Sequence, residues 1–195
     1  MRCFGEGNPL YERYHDEEWG RPQHTEQALY ERICLEGFQA GLAWITVLRK
    51  REALREAFGG FDPDAVAAYD GIDHLLEDAR LIRSRAKLTS CVTNARATIA
   101  LRRTGGLAEL LWSAAELPSP AYDSWTGVPA ATDTSRALAK TLKRAGFTFV
   151  GPTTVYATLQ ASGLVNDHLM TCPVRAAVEA ERVTAGRPAG TAARA

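Results

Sequence analysis

The chain has 195 residues, 46% of them apolar, and its 23 basic and 23 acidic residues give a formal net charge of zero. That fits one compact domain or two small helical lobes sharing a core. No apolar run is long enough to span a bilayer, and Met1–Asn8 lacks the apolar core of a signal peptide, so a cytoplasmic chain without paired disulfides is expected. In chain order, Thr25 caps a helix over Glu26–Gln39 that runs through Leu29, Ile33 and Leu35. After Gly41 a second helix is expected over residues 42–57, stopped by Gly59-Gly60. Asp62-Pro63 reads as a cap followed by proline at the first helical position, with short helices over residues 64–69 and 73–77. Ser84 opens a long helix to Arg103, closed by Gly105-Gly106, and residues 107–114 form another. Residues 117–133 are rich in Pro, Ser and Thr and read as loop. A helix over 135–145 stops at Gly146, and Gly151-Pro152 starts one that Gly163 ends. Residues 166–172 read as one or two helical turns. The expectation is an all-α domain over residues 1–172 made of two packed helical lobes. A tail over 173–195 should follow, helical over 174–183 and disordered over 184–195.

Zero net charge argues mildly against a nucleic-acid partner, but the charges are unevenly placed. From Arg80 to Ala108 there is no acid, against Arg80, Arg83, Arg85, Lys87, Arg96, Arg102 and Arg103. From Thr134 to Asn166 there is again none, against Arg136, Lys140, Lys143 and Arg144. A neutral total can hide a basic face, although each stretch alone fits a solvated helix face equally well.

Without disulfides, the four cysteines need another explanation. Cys3 and His15 lie near the start; His168 and Cys172, four residues apart, share a face if helical. Two thiolates and two imidazoles make a closed tetrahedral set that suits zinc in a structural role. The spacing lacks short Cys-x-x-Cys pairs, so a buried cysteine and an exposed histidine without metal fit as well. Cys34 and Cys91 lie in apolar helical runs and read as core.

Glu36 is the one acid between Ile33 and Trp44, and it follows Leu29 and Ile33 at helical spacing, so it should point inward. A buried carboxylate needs donors or a cation. Either it is a structural glutamate bonded to nearby backbone or rings, or it reads a cationic ligand. Tyr11, Tyr14, Trp19 and Trp44 could stack on such a ligand or simply fill the core.

Taken together, four segments resemble the 3-methyladenine DNA glycosylase I family over almost all of Met1 to Cys172. They are Tyr14-His15-Asp16-Glu17-Glu18-Trp19-Gly20, the run from Ile33 to Trp44, Gly146-Phe147-Thr148-Phe149-Val150-Gly151, and Gly163-Leu164-Val165-Asn166-Asp167-His168. The resemblance implies a helix-hairpin-helix repair fold acting as a monomer on double-stranded DNA containing alkylated adenine, from which it hydrolyses 3-methyladenine. It implies one structural Zn2+ on Cys3, His15, His168 and Cys172. It implies a base pocket of Glu36 and Tyr14 with Trp44 and Tyr11, and a wedge of Gly41 and Leu42 beside the lesion. Arg83, Arg85 and Lys87 in a glycine-poor hairpin, with Ser135 and Lys140, are the implied DNA contacts. The chain departs from the family in two places. Asp133 stands where relatives carry a small hydroxyl residue, and Gly5 stands where they carry a stacking tryptophan, which leaves Phe4 to supply that ring.

Overall fold

The computed structural model describes residues 1–186, and helices form its regular structure throughout. Helix α1 (Pro9–Glu17) was not expected from the sequence. Its signal is present, because Asn8 accepts from the Tyr11 N–H at 3.3 Å and Pro9 takes the first helical position. Helix α2 (Glu26–Gln39) starts where Thr25 accepts from the Ala28 N–H at 3.2 Å. It buries every residue from Tyr30 to Phe38 except Glu31, as a central helix must, and packs on four later helices. These are α3 (Trp44–Ala57), α6 (Arg85–Leu101), α7 (Gly106–Trp112) and α9 (Pro152–Ala161). Between α3 and α6 lie α4 (Pro63–Ala67), capped by Asp62, and α5 (Asp73–Glu77). Helix α8 (Asp133–Arg144) packs on α9 and starts at a reciprocal cap between Thr132 and Ser135.

Two expectations fail here. Residues 166–172 are not helical turns: the chain runs through 166–169 without regular structure and turns at 170–171. The buried Asp167, His168 and Asn166 are held there by side-chain hydrogen bonds instead of a helical ladder. Helix α10 (Arg175–Ala185) also runs two residues into the stretch expected to be disordered. The remainder of that stretch, 187–195, lies outside the described residues.

Helix α10 is fastened to the body by Arg182. Its fully buried guanidinium donates to the carbonyls of Gly163, Leu164 and Glu116 at 2.6–2.9 Å, and it pairs with Glu179 at 2.6 Å. Close approach then decides Gly163. A Cβ there would lie 2.5 Å from the Arg21 carbonyl carbon, so the segment after α1 can lie against the end of α9.

Candidate active site and metal cluster

Helices α1 and α2, the start of α3 and the loop before α8 converge on one cavity of about 190 Å³. Its walls include Phe4, Tyr11, Tyr14, Trp19, Trp44 and Trp125. Glu36 and Gln39 project into it from α2, Gln160 from α9. A second hollow of about 270 Å³ shares Glu36, Gln39 and Ala157 and is rimmed by Gly41 and Leu42. The chain turns there, with Gly41 at φ +76° and Leu42 exposed. The turn is held by Lys87, whose ammonium donates to the carbonyls of Phe38 and Ala40 at 2.8 and 2.5 Å.

Glu36 is buried, yet among the described residues nothing hydrogen-bonds its carboxylate. Burial pushes its pKa up to about 7, against the pull of Arg32. Arg32 is engaged elsewhere: it pairs with Glu18 at 3.2 Å and lies 5.6 Å from the Tyr14 ring centroid. Glu18 is also gripped by Arg51 at 2.5 and 2.9 Å. Burial raises the Tyr14 phenol, so it stays protonated as a donor. The indole N–H of Trp44 is buried and has no partner among the described residues. The rings form a continuous wall: Tyr14 and Trp44 are 5.2 Å apart, Phe4 and Tyr11 5.2 Å, Phe4 and Trp125 5.9 Å. Such a chamber offers a free carboxylate and unsatisfied donors to a flat, cationic ligand.

The sequence reading brought together Glu36, Tyr14, Trp44, Tyr11 and Phe4, and all five line the chamber. It missed Trp125, Gln39 and Gln160, and treated Trp19 as possible filler. Nothing in a loop rich in Pro, Ser and Thr marks a tryptophan as pocket-facing.

The expected DNA contacts fare differently. Arg83 and Lys140 are exposed and their side chains carry no partner among the described residues. Arg85 is exposed but pairs with Asp73 at 2.6 Å. Ser135 is fully buried, its hydroxyl consumed by the cap with Thr132, so it cannot reach DNA. Lys87, turned inward to the end of α2, shapes the Gly41 turn instead of presenting a free charge. The acid-free stretch is also less bare than its sequence, since acids outside it answer it: Arg80 pairs with neighbouring Asp78 and with Glu56, and Arg102 with Glu26 and Asp64.

Cys3, His15, His168 and Cys172 are all buried, with ligand atoms within 4.8 Å of one another. The two sulfurs lie 3.4–3.7 Å from the ring nitrogens. A tetrahedral ion with usual Zn–S and Zn–N lengths sets such edges at about 3.6 Å. Each imidazole is oriented from behind. His15 Nδ1 meets Asp16 at 2.7 Å, itself held by Arg2, and His168 Nε2 meets the Trp19 carbonyl at 3.0 Å. Burial keeps His168 neutral, the ligand form, at a pKa of about 4, and pushes the Cys3 thiol up to about 12 without a cation beside it. The donor set therefore fits one dication and leaves no fifth protein position for substrate. Gly20 permits the arrangement: a Cβ there would press the His168 ring at 3.2 Å.

The sequence profile of the methyladenine glycosylase family matches residues 4–176. This chain belongs to that family. The DNA-3-methyladenine glycosylase of Haemophilus influenzae is 47% identical over 171 residues, covering 85% of this chain and 92% of the relative. A crystal structure of 3-methyladenine DNA glycosylase I, 44% identical, superposes with a TM-score of 0.86 over 89% of this chain and 98% of that one. A substituted form of the same enzyme type, solved in complex with 3-methyladenine, is 35% identical with a TM-score of 0.85 over 89% and 96% of the two chains. The family match runs four residues past Cys172, to the start of α10.

Proposed function

We infer that this protein is a DNA-3-methyladenine glycosylase, hydrolysing the N-glycosidic bond of 3-methyladenine in alkylated DNA. The observation that carries the reading is the Glu36 carboxylate, buried among rings and without a hydrogen-bond partner. The family membership and the relative solved with 3-methyladenine support it.

A base inside a duplex must be flipped out, at a cost of roughly a few kcal/mol. Methylation at N3 gives adenine a formal positive charge, which the Glu36 carboxylate compensates while accepting from the exocyclic amine. Tyr14 donates its phenolic proton, and the rings stack on the base. Water adds to the sugar carbon and gives up a proton to solvent, the bond from that carbon to the base nitrogen breaks, and its electron pair stays on the base. The departing base is neutral, so one recognition carboxylate suffices without a second acid. Helix α5, the turn over 78–84 and α6 are read as the hairpin that meets the DNA backbone, with Arg83 and Lys140 as phosphate contacts that carry no sequence information. The cluster of Cys3, His15, His168 and Cys172 is read as a structural zinc site. Bound there, the metal would contribute folding energy and no catalytic chemistry.

The test is base release from methylated DNA, scoring 3-methyladenine against 7-methylguanine. The parent should release 3-methyladenine, and Glu36→Gln should do so at least tenfold more slowly. Equal rates for the two proteins would remove Glu36 from the reaction. No release by the parent would reduce the chain to a lesion-binding module.

A further inference from the structure

We propose that Trp125, on the loop between α7 and α8, is a base-stacking and specificity-determining residue of the pocket. The inference deepens the reading of Glu36 above and rests on it. A ring that stacks on an incoming base must keep one face open before the base arrives. Tyr14, Trp19 and Trp44 line the cavity but are buried, so each offers only a small part of its surface. Phe4 is packed from several sides, near-parallel to Tyr11 and edge-on to both His15 and Trp19 at 5.1 and 4.7 Å. Trp125 lines the same chamber and remains 39% exposed.

The ring is also fixed. Its indole N–H donates to the Cys3 carbonyl at 2.6 Å, and its plane lies 22° from that of Phe4. Ser124 and Thr126 are hydrogen-bonded to each other at 2.8 Å on either side of it. Beyond them the loop is tied down where Tyr122 accepts from the Met170 N–H at 2.9 Å. A tryptophan held in this way loses little side-chain freedom on binding, so stacking gains are kept. With Glu36 and Trp44 on other walls, an open indole selects flat cationic purines over ordinary ones.

The test uses the full chain and free 3-methyladenine as probe, by calorimetry, with thermal melting as the fold control. Trp125→Ala should weaken base binding about tenfold while melting as the parent does, and Trp125→Phe should restore most of the loss. In the parent, the Trp125 indole N–H resonance, assigned by its absence in Trp125→Phe, should move on adding base. Parent-like affinity in Trp125→Ala, or a static Trp125 resonance while the Trp44 signal moves, overturns the proposal alone. A parent that binds no 3-methyladenine overturns it together with the Glu36 reading.

Discussion

Glu36 costs the folded protein stability, which is what a recognition carboxylate in a dry chamber must do. Its ordinary pKa of 4.5 rises to about 7 on burial. The folded state therefore holds a proton that the unfolded chain releases, and this favours folding below about pH 4.5 and is lost as pH rises to about 7. Glu36→Gln should accordingly melt higher than the parent at pH 8, the difference shrinking toward pH 4.5, with an upper bound of roughly 3–4 kcal/mol. Scanning calorimetry across that range checks it, and a parallel pair of curves would refute it. A cationic base favours the ionised carboxylate. Hence kcat/KM of the parent should fall as pH drops below about 7, and Glu36→Gln should lose that limb.

At the scale of elements, two lysines shape the turns beside the proposed DNA-facing surface. Lys87 holds the end of α2, and so the Gly41–Leu42 turn. Lys50, on α3, donates to three successive carbonyls, Ala79, Arg80 and Leu81, at 2.8–3.2 Å. Its ammonium organises the turn before α6, and nothing in the sequence near position 50 announces a partner some thirty residues on. Lys50→Met should loosen that turn and weaken binding of duplex DNA several-fold while leaving affinity for free 3-methyladenine unchanged. Equal losses in both would point to a general folding defect. Arg83→Ala should lower the slope of log affinity against log salt by about one phosphate contact, roughly 0.9 for duplex DNA. An unchanged slope would take Arg83 off the interface.

Across the whole molecule, the Cys3–His15–His168–Cys172 cluster and Arg182 both tie the C-terminal segment to the rest of the fold. Cys3 precedes α1 and His15 lies within it, while His168 and Cys172 lie between α9 and α10, so one ion would join both ends of the described chain. Freshly purified protein should contain one zinc per chain by elemental analysis. Cys172→Ser should lose it and melt well below the parent, with the Glu36 limb of the pH profile retained in whatever remains folded. Metal-free protein with parental stability would defeat the assignment. Arg182→Met should cost about 3 kcal/mol or more in denaturant unfolding, because three buried carbonyls lose their donor together.

Local sequence determined a good deal of this protein. Caps at Thr25 and Asp62 and stops at Gly105 and Gly146 set helix ends, and the solitary acid at 36 announced an inward carboxylate, because such signals act within a few residues. Helix α1 was legible too, in Asn8-Pro9, though it went unread. Only tertiary structure decided the rest. It bent residues 166–172 out of a helix, since His168 finds its partner at Trp19, far along the chain, while Asp167 is held by Tyr156 and Gln160 of α9. It engaged the Ser135 hydroxyl in the cap of α8 and the Lys87 ammonium with the end of α2, and it brought Trp125 from a featureless loop onto the pocket. A side chain's role follows from which distant groups satisfy its hydrogen bonds and cover its faces, and chain order holds no record of that distance.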